Sequence, residues 1–150
     1  MAGPAPRSLT ALELQKILDE GTFGTLASVR GTGHPHLSTV LYHWNASESL
    51  LRISTTEGRL KPRQFRADPH AALHVRRDDL AFAVAEGEAE VTAPSSAAGD
   101  AVGRELLRVS RDFVETGGEE AFFAEMVDER RVIIRIKVTR LYGTALEDRS

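Results

Sequence analysis

Residues 50–75, LLRISTTEGRLKPRQFRADPHAALHV, hold the reading that decides the fold. LLRIST at 50–55 has the aliphatic and β-branched content of a strand, Gly58 supplies a turn, and AALHV at 71–75 reads as a further strand. Between them KPRQFRADP has helical spacing, with Pro62 at its start and Pro69 past its end. Proline in the first helical turn costs little, because its missing N–H would be unpaired there, so a short helix is predicted to begin near Arg59 to Pro62. This order gathers the hydroxyls of Ser54, Thr55 and Thr56, freed backbone N–H groups, and the cations Arg59, Lys61, Arg63 and Arg66. Basic side chains at a helix N-terminus oppose the macrodipole by roughly a few tenths of a kcal/mol each unless an anion neutralises them. A phosphate would do so. The competing reading is a solvated basic face.

Nucleic acid is disfavoured as the partner of these cations. No aromatic residues interleave them, and 22 Asp+Glu against 19 Lys+Arg leave the chain at a formal charge of −3. At 150 residues the chain fits one domain able to bury roughly two-thirds of its unfolded surface. It contains no cysteine, which removes disulfides, thiolate metal sites and a cysteine nucleophile. No apolar run approaches the ~18 residues of a membrane-spanning helix, and MAGPAPRS lacks the apolar centre of a secretion signal, so a cytoplasmic protein without a membrane partner is expected.

On the N-terminal side, residues 1–7 read as a disordered tail, and Ser8 or Thr10 can cap a helix through Leu12, Ile17 and Leu18 that Gly21 ends, placed as a lid over one barrel end. TFGTLASVR at 22–30 alternates, with Phe23, Thr25, Ala27 and Val29 on one face, and GTGHP turns the chain into HLSTVLYHW. On the C-terminal side, AFAVAEGEAEVTA at 81–93 reads as a strand joined to the preceding one at Arg77-Asp78-Asp79, and Gly87 inside it marks a bulge or a close backbone approach. Ser95 or Ser96 is predicted to cap a helix through Val102, Leu106, Leu107 and Val109, and EEAFFAEMV a shorter one. RVIIRIKVTRLYG supplies one long strand or two short ones, and residues 146–150 form a polar tail after a domain at 8–145. Strands joined by tight turns, without regular crossover helices, argue for a mainly β, antiparallel barrel with helical insertions.

Other chemistries find less support. His34, His36 and His43 lack a third carboxylate or thiolate at ligand spacing, so no metal site is predicted. Neither G-x-S-x-G nor G-x-G-x-x-G occurs, which argues against a nucleophile elbow and a Rossmann nicotinamide site. Tyr42, Trp44 and Phe82 can stack on a flat ring, though aromatic strand residues more often fill a core; Gly24 is a packing position or a cofactor contact.

Taken together, GTLASVRGTGHPHLSTVLYHWN, the 50–75 block, AVAEGEAEV and DERRVIIRIKVTRLYG resemble the pyridoxamine-5′-phosphate-oxidase-like split-barrel proteins over roughly Leu12 to Gly143. Within that superfamily the chain looks most like the actinobacterial branch that binds the deazaflavin coenzyme F420. The resemblance implies a six-stranded antiparallel Greek-key split barrel, FMN-binding-like, assembled as a homodimer with cofactor sites at the subunit interface. It matches Arg59 and Lys61 to the cations on the cofactor phosphate, and Ser54, Thr55 and Thr56 to the strand end beside it. His36, Leu37, Ser38, Thr39 and Val40 match the ribbon along the ring, and Arg131 a basic position near the acidic tail. Gln64 stands where asparagine is common, and Pro62, where a small polar residue is common, removes a backbone donor; both bear on cofactor affinity.

The activity implied is hydride transfer from reduced F420 to an activated C=C bond of an enone or conjugated polycyclic small molecule, with water, Tyr42 or His43 as proton source. Three alternatives stay open: an FMN-dependent oxidase or reductase, a non-catalytic F420 carrier, and a haem- or small-molecule-degrading relative using His34, His36 and His43.

Overall fold

The structure, a computed structural model, describes residues 5–147. In chain order its elements are β1 (Ala5–Ser8), α1 (Ala11–Glu20), β2 (Phe23–Val29), β3 (Pro35–Leu41), β4 (His43–Asn45), β5 (Leu50–Thr56), α2 (Leu60–Ala67), β6 (His70–Arg76), β7 (Phe82–Val91), α3 (Ala101–Ser110), α4 (Glu119–Asp128), β8 (Arg131–Tyr142) and β9 (Thr144–Glu147). β2 to β8 form an antiparallel sheet in the order β3-β2-β6-β7-β8-β5-β4. Tyr42 alone separates β3 from β4, yet β3 pairs with β2 and β4 with β5. The sheet therefore begins and ends on one bent chain segment. With β3 and β4 as its two halves, the sheet is a six-stranded split barrel whose seam is at Tyr42.

Alternation along the strands sorts the core. Leu26, Leu51, Ile53, Leu73, Val75, Ala83, Ala85, Ile134 and Ile136 meet inside the barrel, where Leu14, Ile17 and Leu18 of α1 and Phe65 of α2 join them. Ile133 faces the other way and packs under α3 and α4 with Leu106, Phe122 and Met126. β8 is thus covered on both faces, which explains why VII at 132–134 is continuously apolar. On β2 the buried residues are Gly24, Leu26 and Ser28, so the Phe23, Thr25, Ala27, Val29 face is the outer one.

Helix ends follow side-chain chemistry. Thr10 caps α1 in a reciprocal box with Glu13, and Gly21 ends it. The cap of α3 differs from the serine expected: it is Asp100, whose carboxylate accepts from Ser96 N–H, Gly103 N–H and Ser95 Oγ–H. Ser95 is a partner of the cap because AAG at 97–99 delays the helix. Burial pushes the Asp100 carboxyl up, but the hydrogen bonds from Ser96, Gly103, Ser95 and Ala97 outweigh it and hold its pKa at about 2. The folded value lies below the ordinary 3.8, so its stabilisation is full above that pH and is lost as pH falls towards about 2. Asp100→Ala is expected to lose about 1–2 kcal/mol at neutral pH. In urea melts run against pH, that difference from wild type shrinks on acidification.

Two sequence expectations meet the structure differently. Gly87 sits at a register shift, where Glu86 faces Arg140 and Gly87 faces Val138, leaving Thr139 as the extra residue of a bulge, and a Cβ on Gly87 would collide with the Lys137 carbonyl. Both the bulge and the close approach are present. The ends of the chain differ from the expectation of a disordered tail at residues 1–7 and a polar tail at 146–150: Ala5–Ser8 pairs with Thr144–Glu147 in a two-stranded ribbon. The remaining residues of those segments, 1–4 and 148–150, lie outside the described residues. No helix among the described residues is long and apolar enough to cross a membrane.

Candidate functional site

β5 ends at Thr56, and the turn through Glu57 and Gly58 reverses the chain with Gly58 at φ 86°, a left-handed conformation that favours glycine. α2 then starts with Arg59 in the cap position, no side chain capping it and no acidic residue in its first turn. Its early N–H groups have no intrahelical acceptor, and Pro62 contributes none. The expected helix start near Arg59 to Pro62, flanked by cations, is therefore present.

Of the four cations singled out in the sequence, the structure sets one apart. Arg66 is held by both carboxylate oxygens of Glu57, at 2.5 and 2.9 Å, whereas Arg59 and Arg63 are exposed and Lys61 is half-buried. Arg59 and Lys61 make no ion pair among the described residues. Burial, and then the neighbouring Arg59 guanidinium, hold the Lys61 ammonium pKa below its ordinary value. An anion placed at this helix start would meet both positive charges beside amides that no side chain caps.

Gln64 connects this helix to the β2–β3 hairpin. Its Oε1 accepts from the Ser28 hydroxyl at 2.5 Å and lies 3.1 Å from His36 Nδ1, opposite Ser28 in the β2–β3 register. Lys61 lies three residues before Gln64 and shares its side of the helix. Gln64 and His36 thus join α2 to the β2–β3 hairpin. The longer glutamine arm acts here as a strut between helix and sheet. Gln64→Leu leaves Ser28, only 2% exposed, without its acceptor. The expected result is a loss of about 1–3 kcal/mol in a urea melt; an unchanged midpoint would show that the strut contributes nothing.

Strand alternation divides the remaining predicted residues. His36, Ser38 and Val40 lie on the more buried side of β3, and Leu37 and Thr39 on the exposed one. β3 ends the sheet order, so one row of its backbone groups has no strand partner among the described residues. Ser54 and Thr56 share the outer face of β5 with Arg131, which faces Thr56 in register and approaches the Ser54 hydroxyl at 3.5 Å. Thr55 is 5% exposed and faces the opposite side, as the period of a strand requires. Glu129 pairs with Arg131 at 2.6 Å and lies within the field of Arg59.

Tyr42 and His43 take different places. The Tyr42 hydroxyl donates to the Leu18 carbonyl at 2.6 Å and ties the barrel seam to α1; burial raises its pKa far above the ordinary range. His43 faces Arg52 on β5, and its pKa is lowered by burial, then by Arg52 and Arg108. Trp44 belongs to the core, Phe82 stacks on His74 at 5.0 Å, and Gly24 packs against Leu73. Ser28 and Glu129 were missed in the sequence. A polar residue on the buried phase of TFGTLASVR was the available signal for Ser28; Glu129 is indistinguishable by pattern from other surface acids.

Comparison with known proteins adds three likenesses of fold. The chain is 21% identical to a FAD-binding protein from Mesorhizobium loti, with a TM-score of 0.64 over 95% of this chain and 99% of the other. A solved F420 reductase is 23% identical at TM-score 0.63, over 85% and 94% of the two chains. A conserved hypothetical protein from Mycobacterium tuberculosis is 23% identical at TM-score 0.69, over 100% and 94%. The family model of pyridoxamine 5′-phosphate oxidase matches residues 11–145, which takes in the whole barrel, the α2 cation site and the edge ribbon. With sheet order, seam and sequence in agreement, the chain belongs to the pyridoxamine 5′-phosphate oxidase family.

Proposed function

We propose that this chain is a cytoplasmic F420H2-dependent reductase of the actinobacterial type, acting on a small molecule with an activated C=C bond such as an enone or conjugated polycycle. The observation that carries the reading is the unpaired cation couple Arg59 and Lys61 at the uncapped start of α2, tied through Gln64 to His36 on the edge ribbon. Arg59 and Lys61 hold the phosphate, and Ser54 and Thr56 flank it with Arg131 towards the acidic tail. The free edge of β3 with His36, Ser38 and Val40 orients the ring. When bound, the reduced deazaflavin supplies the hydride. Holding ring and substrate within about 3–3.5 Å accounts for several kcal/mol of barrier lowering.

The same proposal makes the chain a homodimer with the cofactor sites at its interface. Support comes from the outer face of β2 and β3, where Phe23 is 57% and Leu37 61% exposed beside the open ribbon. Sedimentation velocity is expected to show two copies.

A specific observation favours each of two alternatives. An FMN-dependent activity fits the phosphate site equally well, and one structural likeness is to a FAD-binding protein. A non-catalytic F420 carrier fits the commitment of the Tyr42 hydroxyl to Leu18, which removes one of the two side-chain proton donors. Titration with oxidised F420 and with FMN, following ring fluorescence, separates the cofactors. Micromolar or tighter binding of F420, with oxidation of F420H2 in the presence of an enone panel, supports the proposal. Binding of FMN alone overturns it in favour of the flavin, and tight F420 binding without turnover favours the carrier.

A further inference from the structure

We infer that the cavity between α3 and the outer face of β5 and β8 is a second anion site, taking a small molecule with a phosphate or carboxylate group. Its volume is about 440 Å³, and it is lined by Arg52, Ala101, Arg104, Glu105, Arg108 and Arg135. That is room for a small organic molecule rather than a bare ion. Four guanidiniums face a single lining carboxylate.

The hydrogen bonds show which cations are already satisfied. Glu105 accepts from Arg52 Nε at 2.8 Å and from Arg135 Nε and NH2, Glu48 accepts from Arg52 NH2, and Glu90 from Arg135 NH1. All three carboxylates are spent on two arginines. Arg52 is 5% exposed, and its NH1 is buried with no acceptor among the described residues. A buried charge with one donor left without an acceptor is costly, and Arg52 lines the cavity, where an anion offsets that charge.

Arg104 and Arg108 add two more unmatched charges. Arg104 donates to the Gly99 carbonyl, and neither residue pairs with a carboxylate among the described residues. One helical turn apart on α3, they repel each other. The positive field of Arg52 and Arg108 is also felt next door, where after burial they are the main causes that lower the His43 pKa. This site lies on the outer face of β5 at Arg52, whereas the cofactor cations follow Thr56 at the strand's far end. It does not depend on the identity of the cofactor.

Inorganic phosphate and citrate are the probes, titrated calorimetrically at fixed ionic strength. Three proteins are compared: wild type, Arg59→Ala/Lys61→Ala, and Arg104→Gln/Arg108→Gln. The last substitution replaces two exposed helix residues with good helix formers, and far-UV circular dichroism checks the fold; Arg108→Gln alone serves if the double variant does not fold. Binding of at least one probe is expected to survive in Arg59→Ala/Lys61→Ala and to weaken by at least about tenfold when Arg104 and Arg108, or Arg108 alone, are neutralised. Preference for phosphate assigns a phosphate ester, and preference for citrate a polycarboxylate. Equal binding by the neutralised variant, or no binding in Arg59→Ala/Lys61→Ala, overturns the inference and leaves the cofactor reading standing.

Discussion

Arg59→Ala combined with Lys61→Ala is expected to weaken binding of oxidised F420, followed by its ring fluorescence, by at least about a hundredfold. Each cation contributes a charge-assisted hydrogen bond worth about 1.5–3 kcal/mol where the phosphate is drawn out of water. Two such bonds lost together exceed about 3 kcal/mol. The fold should not suffer, because neither residue carries an ion pair among the described residues and removing two cations from a helix start relieves the macrodipole. An unchanged melting curve with collapsed affinity is therefore the expected pair of results. Unchanged affinity would remove both residues from the site.

The largest effect on stability is expected at Gly87. A Cβ there runs into the Lys137 carbonyl and carbon on the paired strand, which are backbone atoms and cannot rotate away. Gly87→Ala must therefore open the β7–β8 ladder at its bulge, and β8 is the strand that carries Ile133, Ile134 and Ile136, all fully buried. A loss of about 3 kcal/mol or more is expected in urea denaturation, at the upper end for a single added methyl. A loss under about 1 kcal/mol would show that the bulge relaxes freely.

Much of this architecture was legible because the strands carry their own punctuation. Period-two alternation, GTGHP and Gly58 turns, and prolines at both ends of the α2 segment gave the order of elements from residues 22 to 93 apart from the break at Tyr42, where HLSTVLYHW reads as one strand and folds as β3 and β4. The cation site was legible for the same reason: Arg59, Lys61 and Gly58 are close in sequence, so a local turn places them. What stayed hidden depended on contacts across the chain. The Ser28–Gln64–His36 contact joins three elements, and nothing at position 64 announces which strands its amide reaches. The capture of Arg66 by Glu57 depends on where α2 docks, so four cations read alike until the helix is in place. Pairing of Ala5–Ser8 with Thr144–Glu147 was illegible because a short proline-containing segment reads as a tail until a distant strand supplies its partner. The cap of α3 was misplaced by proximity, since two serines precede the aspartate that starts the helix.

A crystal structure of the protein with oxidised F420 tests the central claim most directly. The account predicts the cofactor phosphate within hydrogen-bond distance of the Arg59 guanidinium and the Lys61 ammonium, with the ring along the open edge of β3 at residues 36–40. A phosphate bound elsewhere, with both cations turned to solvent, would contradict it.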